Sequence, residues 1–326
     1  MKKIIYSSGE PAGIGPDLII KLAFSKEWES FGIPILIVGD PCLFIDRSKL
    51  LRKNLKIISI DSVKQLKNNK KGSIQVIEIS KCKDTSPGKI YRSNAKYVLS
   101  NLNYAIKETL ADKNSALVTG PLNKESIISI QKDFSGHTEH IQKLTKSNDV
   151  LMMLASEKLN VALATTHIPI KDVANKINKK LIINKIKILN EELKRKFNIK
   201  NPNIKVLGLN PHAGENGKIG NEELKVIKPA IKELKKKNIN VSFPISADTA
   251  FSIKNLKETD AYLGMYHDQV LPVLKALSFG KSINITLGIP IIRTSVDHGV
   301  ALDIAGTGDG NTSSLSLAIK IAKKLL

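Results

Sequence analysis

The chain has 326 residues, enough for two domains or one large α/β unit, and with 42% hydrophobic but only 5% aromatic residues its core must be mostly Ile, Leu and Val. Its formal charge of +21 is almost all lysine, with arginine only at Arg47, Arg52, Arg92, Arg195 and Arg293; scattered lysines without basic–aromatic alternation suit solvated faces and helix dipoles and argue against nucleic acid as a partner. No apolar run approaches the ~20 residues of a membrane span, the N-terminus is too short in its apolar part for a signal peptide, and Cys42 and Cys82 without a CxxC spacing fit a reducing, cytoplasmic setting with no membrane partner.

Residues 2–7 read as a strand, 9–15 (GEPAGIG) as a glycine-rich turn, and Pro16 with Asp17 as the first turn of a helix. Strand, glycine loop and helix together form a common anion-facing device, and Asp40 follows the next strand about where a ribose-binding acid would stand. The glycines do not spell GxGxxG, however, so a Rossmann site is not expected, and the turn serves either close packing or a ligand contact. Further strands are predicted at 34–39, 56–60, 73–79 and 115–119. Helices are predicted from Pro41 and from a Ser93 cap to about Leu110, with a polar loop at 81–92. Strands alternating with helices mean an α/β fold with a mostly parallel sheet.

Residues 120–124 (GPLNK) follow a strand directly, and 135–140 (SGHTEH) open a helix. His137 and Thr138 at that helix start can offer an imidazole, a hydroxyl and backbone N–H groups to an anion, or can simply cap the helix. His137 and His140, three apart, could also share a metal, although no third ligand is near in sequence. Residues 150–155 and 159–166 read as neighbouring strands. Helices are expected at 170–177 and 181–196, a strand at 204–209, a mobile loop at 210–221, and a helix from 222 to 237 capped by Asn221. A short strand at 241–243 and a loop at 245–251 bearing Asp248 come next.

Residues 262–275 (YLGMYHDQVLPVLK) are the organising stretch: an apolar strand, a His–Asp–Gln corner and an apolar helix start. His267 stands in that corner; His167 and His212 each stand just past another predicted strand. Loops at strand ends face the crevice of an α/β sheet, so three imidazoles placed this way can converge on one divalent metal. Lys275, Asn284 and Arg293 add donors suited to a carboxylate or phosphate, Arg293 being able to bind in bidentate fashion. Strands at 282–287 and 291–295, a Gly- and Asp-rich loop at 297–311 and a helix from 312 complete the chain. Asp248 and Asp268 are candidates for a general base, or for orienting the metal histidines.

The segments GEPAGIGPD, GPLNK, GHTE, TTHIP, LNPHAGE, SADTAF, YHDQVLPVLK and RTSVDHGVALDIAGTG resemble, in order and over residues 9–311, the 4-hydroxythreonine-4-phosphate dehydrogenase family of vitamin B6 biosynthesis. More distantly, GIGPD and HGVALDIAG are similar to isopropylmalate and isocitrate dehydrogenases, which implies their two-domain, non-Rossmann α/β fold. The expected division is residues 1–125 plus 277–326 on the nicotinamide side and 126–276 on the metal and dimer side, with the active site in the cleft.

The resemblance implies that His167, His212 and His267 hold one divalent ion (Zn, Mg or Co) per subunit. It implies that His137, Thr138, Lys275, Asn284 and Arg293 contact substrate, and that the active site is shared across a homodimer. His137, Lys275 and Asp248 are the expected catalytic groups. By analogy, NAD or NADP would lie on 297–311 at Gly299, Asp303, Gly306 and Asn311. The implied reaction is oxidation of the secondary alcohol of 4-phosphooxy-threonine, a small phosphorylated hydroxy amino acid. Decarboxylation to 3-amino-2-oxopropyl phosphate would follow, with the metal lowering the alcohol pKa and steadying the charge left as CO2 departs. The nearest alternative is a sister dehydrogenase for threonate or erythronate 4-phosphate. A zinc hydrolase and a polyanion-binding protein are the readings from other classes.

Overall fold

The computed structural model describes residues 1–326 and divides into two compact units, 1–147 with 289–326, and 148–288. The strands in chain order are β1 Lys3–Ser7, β2 Ile35–Val38, β3 Lys56–Ser59, β4 Ser73–Ile77, β5 Ser115–Thr119, β6 Leu151–Ala155, β7 Asn160–Leu163, β8 Ile204–Val206, β9 Ala261–Gly264, β10 Ile283–Leu287 and β11 Ile292–Val296.

In the first unit the order is β3-β4-β2-β1-β5-β11, and every pair is parallel. Strands covered on both faces read as near-continuous apolar runs. Accordingly β1 (KIIYS), β2 (ILIV) and β5 (SALVT) are buried at every residue. Ser7 lies opposite Thr119, and Thr119 opposite Ser295, so β1, β5 and β11 end level with one another. The loops 8–14, 120–123 and 297–311 therefore leave from one sheet edge.

In the second unit the order is β10-β6-β7-β9-β8. The first two pairings are antiparallel, and β7, β9 and β8 run parallel. A core of Leu154, Val161, Leu163, Leu207, Tyr262 and Leu274 joins this sheet to helix His267–Ser278.

The units divide later in the chain than the expected 125/126 and 276/277. Phe134 packs with Leu43, Tyr97 and Ile127, and His140 Nε2 lies 2.6 Å from Asn103 Oδ1; these contacts tie helix His137–Thr145 to the first unit. Residues 283–287 stay with the second unit because β10 pairs along its whole length with β6.

Five local expectations change. Asn94, not Ser93, precedes helix Ala95–Ala111 and makes no side-chain cap. Residues 245–251 hold a one-turn helix, Ala247–Ala250, and the strand expected at 241–243 is a single bridge from Val241 to Ile204. Residues 210–221 hold a left-handed turn. His212, Ala213, Gly214, Glu215 and Asn216 are all left-handed, with φ between 41° and 78°. Buried Glu223 holds this turn: its carboxylate accepts from the Asn210 backbone N–H at 2.7 Å and from Asn210 Nδ2 at 2.9 Å. Asn221 does not cap the following helix; residue Glu222 leads into a π turn, Glu223–Ile227, and then Lys228–Lys236.

Candidate active site

The first unit gathers a set of groups suited to an anion. β11 carries Arg293 into the interior at 2% exposure, where Nη2 donates to Thr119 Oγ1 at 2.8 Å. Burial pulls this guanidinium down to about 10, with nearby Glu139 acting in the opposite sense, so it is charged at neutral pH. His137 begins its helix after Gly136, whose φ is 153°. Burial, followed by the positive charges of Arg293, His140 and Lys124, pushes the His137 imidazole well below its usual value. The ring is neutral at pH 7 and can accept a proton or a hydrogen bond. Thr138 is buried in the same first turn. Thr119 and Glu10 were not singled out in the sequence. Glu10 is buried, its carboxyl raised chiefly by that burial, and Oε1 accepts from Ala12 N–H at 3.2 Å. A strand-ending Thr and a Glu within a glycine loop were the available signals.

The second unit carries the three imidazoles past the C-terminal ends of adjacent parallel strands: His167 after β7, His267 after β9 and His212 after β8. The His167 and His267 rings have centroids 5.7 Å apart. They line a cavity of about 250 Å3 with Thr166, Ile168, Tyr266 and Asp268. Asp268 Oδ1 lies 2.6 Å from His267 Nδ1, so Nδ1–H donates and Nε2 keeps its lone pair, the usual arrangement behind a metal-binding histidine. The third imidazole stands elsewhere: His212 Nδ1 is 3.9 Å from Asp248 Oδ2, and no three His, Cys, Asp or Glu side chains of one chain form a group that could hold a metal. His267, its Nδ1 turned to Asp268, and His167 beside it are candidates for two ligands of a divalent ion.

Ser246 Oγ donates to Asp248, which holds that carboxyl below its usual range, with His212 adding a smaller pull. Gln269, in the same His–Asp–Gln corner as His267, has a bracing role that its sequence position does not announce. Its Oε1 accepts from Met265 N–H at 2.7 Å and its Nε2 donates to Gly208 O at 2.6 Å, which braces the corner after β9 against the end of β8. Lys275 is half-buried on helix His267–Ser278. Asn284 lies on β10 opposite Leu154, with Oδ1 buried and without a hydrogen-bond partner.

Of the expected cofactor residues, Gly299, Asp303 and Asn311 are exposed. At Gly299 an added Cβ would meet nothing within 4 Å. Gly306 is left-handed at φ 80° and donates its N–H to Asp17 Oδ2 at 2.6 Å. Asn311 Oδ1 accepts from Ser313 N–H at 2.8 Å.

The sequence matches the family described as Pyridoxal phosphate biosynthetic protein PdxA over residues 32–322. The chain belongs to this family. Relatives named 4-hydroxythreonine-4-phosphate dehydrogenase include one from Erwinia tasmaniensis, 43% identical over 321 residues (98% of this chain, 96% of that protein). Another, from Vibrio parahaemolyticus, is 43% identical over 327 residues (100% and 97%). The crystal structure of 4-hydroxythreonine-4-phosphate dehydrogenase from Klebsiella pneumoniae superposes with a TM-score of 0.89 at 34% identity, covering 99% of this chain and 98% of that one. A terephthalate 1,2-cis-dihydrodiol dehydrogenase from Burkholderia xenovorans, at TM-score 0.66 and 23% identity, shares the fold alone. The α/β architecture expected from the alternating elements is therefore that of the family. No helix is long and apolar enough to cross a membrane.

Proposed function

We propose that the protein is an NAD(P)-dependent dehydrogenase that oxidises 4-phosphooxy-L-threonine and releases CO2 to give 3-amino-2-oxopropyl phosphate, in pyridoxal 5'-phosphate biosynthesis. The observation that carries this reading is Arg293. A guanidinium buried beside a hydroxyl and a neutral imidazole is a donor fork fixed in advance and already stripped of water, which suits a phosphate or carboxylate, and relatives over 40% identical are named for a phosphorylated substrate.

In this reading Arg293 and Thr138 fix the anionic end, while Lys275 and Asn284 contribute further donors; Asn284 Oδ1 is the buried acceptor that a substrate N–H or O–H would satisfy. Fixing both ends of a small substrate is mainly an orientation effect. His137, neutral at pH 7, accepts the proton that leaves the reacting alcohol. Asp268 sets the tautomer of His267, and Asp248 steers the ring of His212. One divalent ion per subunit, held by His167, His212 and His267 with the set completed across a homodimer, would supply Lewis-acid activation of the alcohol and of the ketone it becomes. Gly299, Asp303, Gly306 and Asn311 would hold NAD or NADP, which would supply the hydride acceptor for the oxidation.

The test is a spectrophotometric assay with purified protein, 4-phosphooxy-threonine, NAD+ or NADP+ and added divalent ions, before and after chelation, with erythronate 4-phosphate in parallel. The reading expects reduced nicotinamide from the threonine derivative, lost on chelation and restored by metal. Preference for the sugar acid, or turnover without nicotinamide, would overturn it.

A further inference from the structure

One buried ion pair lies outside the groups assigned so far. Asp17 and Arg47 both have side chains at 0% exposure and pair through Asp17 Oδ1 and Arg47 Nη1. Arg47 Nη1 also donates to Gly13 O at 2.9 Å, and Nη2 to Pro11 O at 2.8 Å. The second carboxylate oxygen of Asp17 accepts from Gly306 N–H at 2.6 Å, 289 residues away. The pair thus joins the glycine turn after β1 to the loop that follows β11.

Other bonds run the same way. Ile14 N–H donates to Val300 O at 3.0 Å. Lys21 Nζ donates to Gly310 O at 2.7 Å and also to Gly308 O. The polar loop at 81–92 is drawn in as well: Gly88 N–H donates to Ala12 O at 2.8 Å, and an added Cβ at Gly306 would overlap Pro87. A buried ion pair is poor evidence of stability, because well-packed apolar residues usually serve as well or better. What this pair provides that apolar side chains cannot is fixed hydrogen-bonding direction toward two separate backbone segments, the 8–14 turn and the 297–311 loop.

We propose that Asp17 and Arg47, assisted by Lys21, are positioning residues that set the 297–311 loop in its cofactor-receiving shape. This rests on the assignment of nicotinamide to that loop. Neither side chain touches the reacting atoms; they act through the backbone at Gly306, Gly13 and Pro11.

The variants Asp17→Asn, Lys21→Met and Lys21→Arg would be compared with the wild-type enzyme. Calorimetric binding of NAD+, the KM for each substrate, and hydrogen–deuterium exchange of peptides spanning 297–311 are the readouts. Losing one bond to a charged group predicts about a 10-fold or greater weakening of NAD+ binding in Asp17→Asn, faster exchange confined to the loop, and a KM for the phosphorylated substrate within about twofold of wild type. Lys21 is half-buried, so Lys21→Met leaves no stranded interior charge and serves should Asp17→Asn fail to fold; a smaller loss is expected, restored in Lys21→Arg. Faster loop exchange with unchanged NAD+ affinity, or equal shifts in both KM values, overturns the proposal. A wild-type protein that binds no nicotinamide overturns the cofactor assignment instead, and is told apart because no variant is then needed.

Discussion

The two units prepare for ligands in opposite ways. In the first, Arg293 is sunk in the interior, braced by Thr119, and His137 is held neutral by burial and by neighbouring positive charge. In the second, His167, His212 and Asp248 are exposed, and His267 is half-buried beside the carboxylate of Asp268. A phosphate or carboxylate is well hydrated, so binding it demands donors fixed in advance and already stripped of water. A divalent ion brings its own large charge and dictates ligand geometry on arrival, so its ligands need only be within reach and correctly tautomeric. The contrast predicts that loss of Arg293 acts on substrate affinity, and loss of His267 on metal.

The sharpest way to break that contrast is His267→Ala. Loss of a direct ligand should exceed the about 10–100-fold typical of supporting partners, so turnover should fall about 100-fold or more, with metal content by elemental analysis falling in parallel. Full activity at full metal occupancy would remove His267 from the ligand set. Next in size, Arg293→Met should raise the KM for the phosphorylated substrate about 10–100-fold, since the charged donors that meet the substrate anion are replaced by an apolar chain of similar length. A melting point several degrees lower with KM unaltered would make Arg293 a structural residue.

The smallest effect concerns pH. The His137 imidazole is depressed in the folded protein from an ordinary value near 6.5. The unfolded chain therefore binds its proton first as pH falls. Stability is complete above that ordinary value, declines as pH drops through it, and levels off below the folded value. Thermal melts between pH 7.5 and 5.5 should show this decline in the wild type and a flatter profile in His137→Asn; identical slopes would place the acid sensitivity elsewhere.

Much of this was legible before any coordinates. Hydrophobic runs such as 35–38 and 115–119 announce buried parallel strands, and an imidazole just beyond each of three such runs announces a strand-end site. What the sequence could not convey is contact across long separations. Asp17 reads as an ordinary acid in a first helical turn, yet its carboxylate meets residue 306. Residues 210–221, with three glycines and three asparagines among them, read as a flexible loop; the bonds from Asn210 to Glu223, arriving from the next turn, could not be foreseen. Gln269 looks like part of a catalytic corner, whereas its amide is spent bracing backbone at Met265 and Gly208. Local periodicity encodes elements, while the residues that lock loops together carry no periodic mark.

The run of reversed-handed residues from His212 to Asn216 inverts the usual ranking of substitutions. Ala213 has φ 50°, where a side chain carrying Cβ costs about 1–2 kcal/mol per residue and glycine almost nothing. Ala213→Gly should thus raise the denaturation midpoint modestly, whereas valine or isoleucine there should lower it. In a saturation library scored for heat tolerance, this short segment would favour the residues that weaken helices and sheets throughout the remainder of the protein.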